Sequence, residues 1–243
     1  MSLKGIKLVT LDATNTLLKF RVPPMQHYAA VAREFGYSCD EEDLQTSFKA
    51  SYEYMSTKHP NFGIYGIEWR DWWRSLVKST FQNKLPADAD INVIAERLIA
   101  DFSTSKCWCL ADGCERILST IRKHGIALGV VSNYDPCLYK VLESVNIINY
   151  FNFIVASYEA GYSKPDKRIF NIAVERSGLF LKPSQILHIG DDYKNDYEGA
   201  TNMGWHAILI NNNETVQTPS AVKNVFKNLE DLSVAIENNK LIL

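Results

Sequence analysis

The sequence predicts an α/β fold, a Rossmann-like parallel sheet core with a helical bundle inserted near its start. Two observations lead there. Five short, apolar, β-branched runs end in polar residues, glycine or a turn, the pattern of strands buried on both faces: Ile6 to Asp12, Ile126 to Ser132, Phe153 to Ser157, Ile186 to Gly190 and His206 to Ile210. Helical patterns alternate with the last four, as βαβ units require.

The helices between strands carry their own punctuation. Asp112 to His124 is stopped by Gly125, and Asp135-Pro136 opens the next with Pro at the first helical position. Ser163-Lys164-Pro165-Asp166 opens a third that closes at Gly178, and Asn195 to Met203 gives a fourth ending at Gly204. The tail from Asn211 is polar and then weakly helical over Leu229 to Asn238.

From about Pro24 to Phe102 the alternation stops and the chain reads as helices alone. MQHYAAVAREFG, a helix from Asp40, WRDWWRSLVKSTF and ADINVIAERLIADF form the set, with a turn at KHPNFGIYG. The predicted division is a core of residues 1–20 and 106–243 and a helical cap of residues 21–105. Trp69, Trp72, Trp73 and Phe81 are expected to fill the bundle core. Adjacent Trp72 and Trp73 cannot share one helix face, so one of them is expected to face the domain interface.

Composition bounds the partners. The chain has 243 residues, 46% hydrophobic, and a net charge of −2, which leaves no basic surplus for nucleic acid. No apolar run reaches the ~18–20 residues that span a bilayer, and the N-terminal segment lacks a signal-peptide pattern, so no membrane is expected and a soluble, cytoplasmic protein is. The odd set Cys39, Cys107, Cys109, Cys114 and Cys137 fits reduced thiols, and Cys107, Cys109 and Cys114 match no common zinc spacing. Oligomeric state is not written in the sequence.

Polar residues collect where the strands end. The first strand runs into Asp12, Thr14 and Thr16, the second into Ser132 and Asn133, and the fourth into Asp191, Asp192 and Asp196. In a parallel sheet these ends share one edge, where ligands bind at the reversal of strand order, and Lys164 lies near it. Crowded carboxylates repel unless a cation sits among them, and oxygen ligands of this kind suit Mg²⁺ sharing a substrate phosphate. One carboxylate can then attack phosphorus, with Lys164 and Ser132 stabilising the phosphoryl oxygens.

At these residues the sequence resembles the haloacid dehalogenase superfamily. LDATNTLL, VVSN, GYSKPDKRIF and HIGDDYKNDYEGA match its four motifs in order, and the early helical insertion resembles its type I cap. The resemblance implies a Mg²⁺-dependent phosphatase of a small phosphorylated metabolite. It implies that Asp12 is the nucleophile and a metal ligand, and that the Thr14 carbonyl also binds Mg²⁺. Ser132 and Lys164 would hold the phosphoryl group with Thr16 and Asn133 as further substrate contacts, and Asp191, with Asp192 or Asp196, would complete the metal site.

One position departs from the family. Its phosphatases carry an acid/base Asp two residues after the nucleophile; here that residue is Thr14, which cannot do such work near neutral pH. A slow or restricted phosphatase is expected, the alternatives being a 2-haloacid dehalogenase and a non-catalytic, regulatory binding protein. Asn15 replaces the family's Gly and tolerates a left-handed backbone. His188, alternating with Leu187 and Ile189, reads as a packed residue rather than a ligand, and His27, Glu68 and Asp71 read as solvated or cap-packing residues rather than as a missing acid.

Overall fold

The computed structural model describes residues 3–211, 222–241 and 243. It divides into two compact units, one of residues 1–19 and 110–243, the other of residues 20–109.

The chain enters the larger unit on β1 (Leu8–Leu11) and leaves it on β2 (Leu18–Phe20). Four helices of the smaller unit follow: α1 (Pro24–Glu34), α2 (Glu41–Lys58), α3 (Trp69–Thr80) and α4 (Ile91–Phe102). The chain returns on β3 (Trp108–Leu110), which pairs with β2. Then come α5 (Cys114–Lys123), β4 (Ala127–Ser132), α6 (Cys137–Ser144), β5 (Phe153–Ala156), the one-turn α7 (Ser157–Ala160) and α8 (Lys167–Ser177). β6 (Ile186–Gly190) runs into a π-helix (Tyr193–Glu198) continued by α9 (Gly199–Thr201). β7 (His206–Ile210), β8 (Val225–Phe226) and α10 (Leu229–Glu237) complete the described chain.

The larger unit is a six-stranded parallel sheet in the order β5-β4-β1-β6-β7-β8. β1 lies centrally because all four of its residues are buried and aliphatic or Thr, and it takes β4 on one side and β6 on the other. The chain therefore moves outward from β1 to β4 and β5, then returns to β6 and moves the other way, which puts the switch of strand order at β1.

Local chemistry explains where the helices start. α8 begins at Lys167 rather than Ser163, because the Asp166 carboxylate caps it by accepting from the Arg168 N–H. Asp192 does the same for the π-helix, accepting from the Asn195 N–H at 2.8 Å, so that helix starts two residues before Asn195. β8 was not predicted.

In the smaller unit, Met25, Tyr28, Leu44, Val77, Phe81, Ile94 and Leu98 form one apolar core, and Met55, Trp72 and Leu76 a second. Trp72 is fully buried and Trp73 half-buried, yet their rings meet edge to face at 4.9 Å and both contact Phe62. Ring size bridges the angular gap between these neighbouring helix positions. Among the described residues no helix is long and apolar enough to cross a membrane.

Candidate active site

The switch of strand order places three segments at one edge of the larger unit. Leu11 pairs with Val130 and Ile189, so Asp12 leaves β1 beside the ends of β4 and β6, and its N–H donates to the Ile189 carbonyl at 2.9 Å. Ser132, buried, is the last residue of β4. Asp191 follows β6 directly.

Three carboxylates meet there. Oxygens of Asp12, Asp191 and Asp196 all lie within 4.8 Å of one another, and this is the one such acidic, His or Cys group among the described residues. The Lys164 ammonium donates to Asp12 Oδ1 and to Asp196 Oδ1, both at 2.6 Å, with Asp12, Lys164 and Asp196 all buried. A cation and its two anions taken from water must find each other at such distances to offset their desolvation.

The sequence builds each placement. Asn133 grips the Lys164 main chain at both ends: its amide oxygen accepts from the Lys164 N–H at 2.7 Å and its amide nitrogen donates to the Lys164 carbonyl at 3.0 Å. Its amide thus positions Lys164. The π-helix turns Asp196 back beneath the end of β6. A Cβ on residue 190 would lie 2.2 Å from the Asp196 carboxyl carbon, so Gly190 is required there. Asp196 Oδ2 accepts from the Asp192 N–H at 3.0 Å. The Asp192 side chain itself is exposed and occupied as a helix cap, so it does not join the carboxylate group.

The loop after β1 holds the other expected residues. Asn15 adopts φ 59°, the left-handed conformation foreseen for it. Thr14 is half-buried and bridges to Leu18. The Thr16 hydroxyl is buried and has no hydrogen-bond partner among the described residues. Such an orphaned polar atom is costly, and it is the sort of group a bound ligand satisfies.

Electrostatics follow from three acids facing one base. Burial pushes the Asp191 carboxyl up to about 7, and the charges of Asp12 and Asp196 add to this. Burial also raises Asp12, against the opposing pull of Lys164. For Asp196 burial is overcome by Lys164 and His188, which hold it well below the ordinary carboxylate range. For Lys164 burial is likewise overcome, by Asp12 and Asp196, so it stays charged. The pocket is therefore short of positive charge. Its donors are hard oxygens clustered within reach of one small cation, and they fit Mg²⁺ by that chemistry.

Sequence reasoning missed one member. His188 lies on β6, fully buried, and donates from Nε2 to Asp196 Oδ1 at 3.0 Å. The signal was present: a titratable ring in an otherwise aliphatic strand must find polar partners. His27, Glu68 and Asp71 belong to the smaller unit. His27 bonds Asp101 at 2.9 Å, Asp71 pairs with Arg74, and Glu68 is exposed at the start of α3. Cys107 and Cys114 are buried thiols that burial pushes up to about 12.

Comparison with known proteins agrees with this fold. The family model for haloacid dehalogenase-like hydrolase matches residues 6–204. The rhythmically expressed gene 2 protein of Drosophila melanogaster is 39% identical over 219 residues, covering 86% of this chain and 84% of that protein. Haloacid dehalogenase-like hydrolase domain-containing protein 3 of Bos taurus is 38% identical over 207 residues, covering 84% of this chain and 82% of its own. Among solved structures, the HAD-hydrolase YfnB from Bacillus subtilis bound to magnesium shares the fold with a TM-score of 0.72 at 18% identity, covering 96% of this chain and 99% of that one.

Proposed function

The chain belongs to the haloacid dehalogenase-like hydrolase family, and on that premise we propose that it is a Mg²⁺-dependent phosphatase of a small phosphorylated metabolite, acting through an aspartyl-phosphate on Asp12. The observation that carries this reading is the buried Lys164 ammonium held 2.6 Å from Asp12 inside a trio of carboxylates. A pocket with that charge balance favours a dianionic phosphoryl group only when a cation accompanies it.

Asp12 and Asp191 would hold the metal, with the Thr14 carbonyl beside them, while Asp196 has its oxygens engaged by Lys164, His188 and the Asp192 N–H. Bound Mg²⁺ would neutralise phosphoryl charge as a Lewis acid. The residues do the rest. An Asp12 oxygen attacks phosphorus, the bond to the ester oxygen breaks, and the departing alkoxide takes a proton from solvent water. Lys164, with Ser132 and the unsatisfied Thr16 hydroxyl, stabilises the phosphoryl oxygens. Water then cleaves the acyl phosphate, releasing phosphate and restoring Asp12.

Thr14 favours a second reading of the same site, a protein that binds a phosphorylated ligand and turns it over slowly. A threonine hydroxyl neither protonates the leaving oxygen nor activates water near pH 7, and such catalysis is worth ~10²–10⁴-fold.

A panel of phosphate esters assayed with Mg²⁺ and with chelator tests the proposal, together with mass spectrometry of acid-quenched protein. Turnover above that of Asp12→Asn, lost with chelator, and a phosphoryl adduct on Asp12 are expected. Asp12→Asn should lose at least ~10⁴-fold in kcat, as nucleophile removal does elsewhere. Wild-type turnover no greater than that of Asp12→Asn would end the phosphatase reading. Halide release from 2-chloropropionate without metal would favour the dehalogenase chemistry instead.

A further inference from the structure

His188 and Thr10 lie side by side on β6 and β1 as register partners, and neither is exposed. The Thr10 hydroxyl and His188 Nδ1 are 2.8 Å apart, and His188 Nε2 is 3.0 Å from Asp196 Oδ1. That same oxygen takes the Lys164 ammonium, which also holds Asp12. The bonds therefore run Thr10, His188, Asp196, Lys164, Asp12 and close through Leu11, the single residue of β1 between Thr10 and Asp12.

We propose that His188 is a positioning residue: seated by the Thr10 hydroxyl, it donates from Nε2 to Asp196 and fixes the carboxylate that shares Lys164 with Asp12. This rests on the phosphatase reading for its purpose, though not for its geometry. The direction of each bond follows from what the groups can do. A carboxylate can only accept, so Nε2 carries the hydrogen. In the neutral ring Nδ1 is then an acceptor, and the Thr10 hydroxyl donates to it. The opposite tautomer would set two lone pairs against each other at Asp196, in a place shut off from water. Thr is β-branched, with few χ1 choices, so its hydroxyl is a firm anchor. The Phe170 ring meets the imidazole edge to face at 5.6 Å and 89°, which holds the ring plane. Asp196 Oδ2 is tied to the Asp192 N–H, so the carboxylate is fixed at both oxygens. Here His188 acts on the site through Asp196 and Lys164, and partners that orient the groups around a metal site typically contribute 10–100-fold to metal affinity or activity.

Three variants separate positioning from packing. His188→Phe keeps a ring against Phe170 and removes the donor. His188→Gln restores an N–H donor. Thr10→Val keeps shape and removes the hydroxyl alone. Thermal melts check that each folds, and where His188→Phe does not, the other two carry the test. In ¹⁵N-histidine-labelled wild type, the His188 resonances are expected to report hydrogen on Nε2. By calorimetry, Mg²⁺ affinity is expected to fall about 10–100-fold in His188→Phe, to fall less in Thr10→Val, and to recover for the most part in His188→Gln. An Nε2 without hydrogen, unchanged affinity in a folded His188→Phe, or equal losses in the Phe and Gln variants would overturn the proposal. A wild type that hydrolyses no phosphate ester while these results hold would remove the phosphatase reading and leave the positioning role standing.

Discussion

Each of the two units carries a knot of charge around a buried group, Asp101 in one and Lys164 in the other, and the knots are opposite in balance. In the smaller unit one carboxylate, Asp101, is met by His27, by Arg97 at 3.1 Å and by Lys106 at 2.7 Å. In the larger unit one ammonium, Lys164, faces Asp12, Asp191 and Asp196. Burial raises the Asp101 carboxyl, but the hydrogen bonds of Lys106, His27 and Arg97 outweigh it and leave it lowered. Asp191 is left at about 7. A knot whose charges are met within the chain braces a fold. A knot left short of cation is built to receive one, and it is there that function is sought.

The contrast can be broken at its centre. Lys164→Met should lower kcat/KM by roughly 10²–10³-fold, the loss seen when one preorganised donor to a developing charge is removed. It should also destabilise the metal-free protein by about 3–5 kcal/mol, since it strands buried carboxylates. Paired steady-state kinetics and urea unfolding check both. Equal activity in a folded Lys164→Met would show that this ammonium serves structure alone.

The next effect runs the other way. Thr14→Asp should raise hydrolysis of a poor-leaving-group phosphate ester by ~10² or more, by supplying a proton donor to the leaving oxygen. An unchanged rate across the ester panel would place the defect elsewhere.

The smallest effect belongs to the balanced knot. Asp101→Asn should cost about 1–3 kcal/mol in chemical denaturation, by leaving cations without their carboxylate. Because the Asp101 pKa is lowered on folding, its contribution is present above the ordinary carboxylate range and fades as pH falls through the lowered value. Comparing the two proteins across pH should show the gap closing toward acid; a gap that widens there would contradict the assignment.

Much of this was legible in the sequence, for reasons that differ by element. β6 and β7 run over the predicted residues because each is an apolar run with sharp polar or glycine borders. β8 escaped because two residues, Val225 and Phe226, have too little length for a period. Asp12, Lys164 and Asp191 could be placed because strand ends fix their neighbourhood. Choosing between Asp192 and Asp196 needed the π-helix, which returns Asp196 under Gly190 and leaves Asp192 as a cap. The partners of Asn133 and His188, the Lys164 main chain and Thr10 with Asp196, could not be read from the sequence because they are distant in it or set by that helix.

The claim beneath all of this is that the trio beside Lys164 lacks a cation, and thermal unfolding with and without Mg²⁺ across pH measures it most directly. Free Asp titrates near ~4, so a folded Asp191 at about 7 binds a proton that the unfolded chain has released between those values. Metal-free stability should therefore fall as pH rises from about 4 to about 7, and Mg²⁺, competing with that proton, should raise Tm little at pH 5.5 and substantially at pH 8. Asp191→Asn should flatten this dependence. A Tm that Mg²⁺ leaves unchanged at pH 8, or raises equally at both pH values with and without Asp191, would contradict the account.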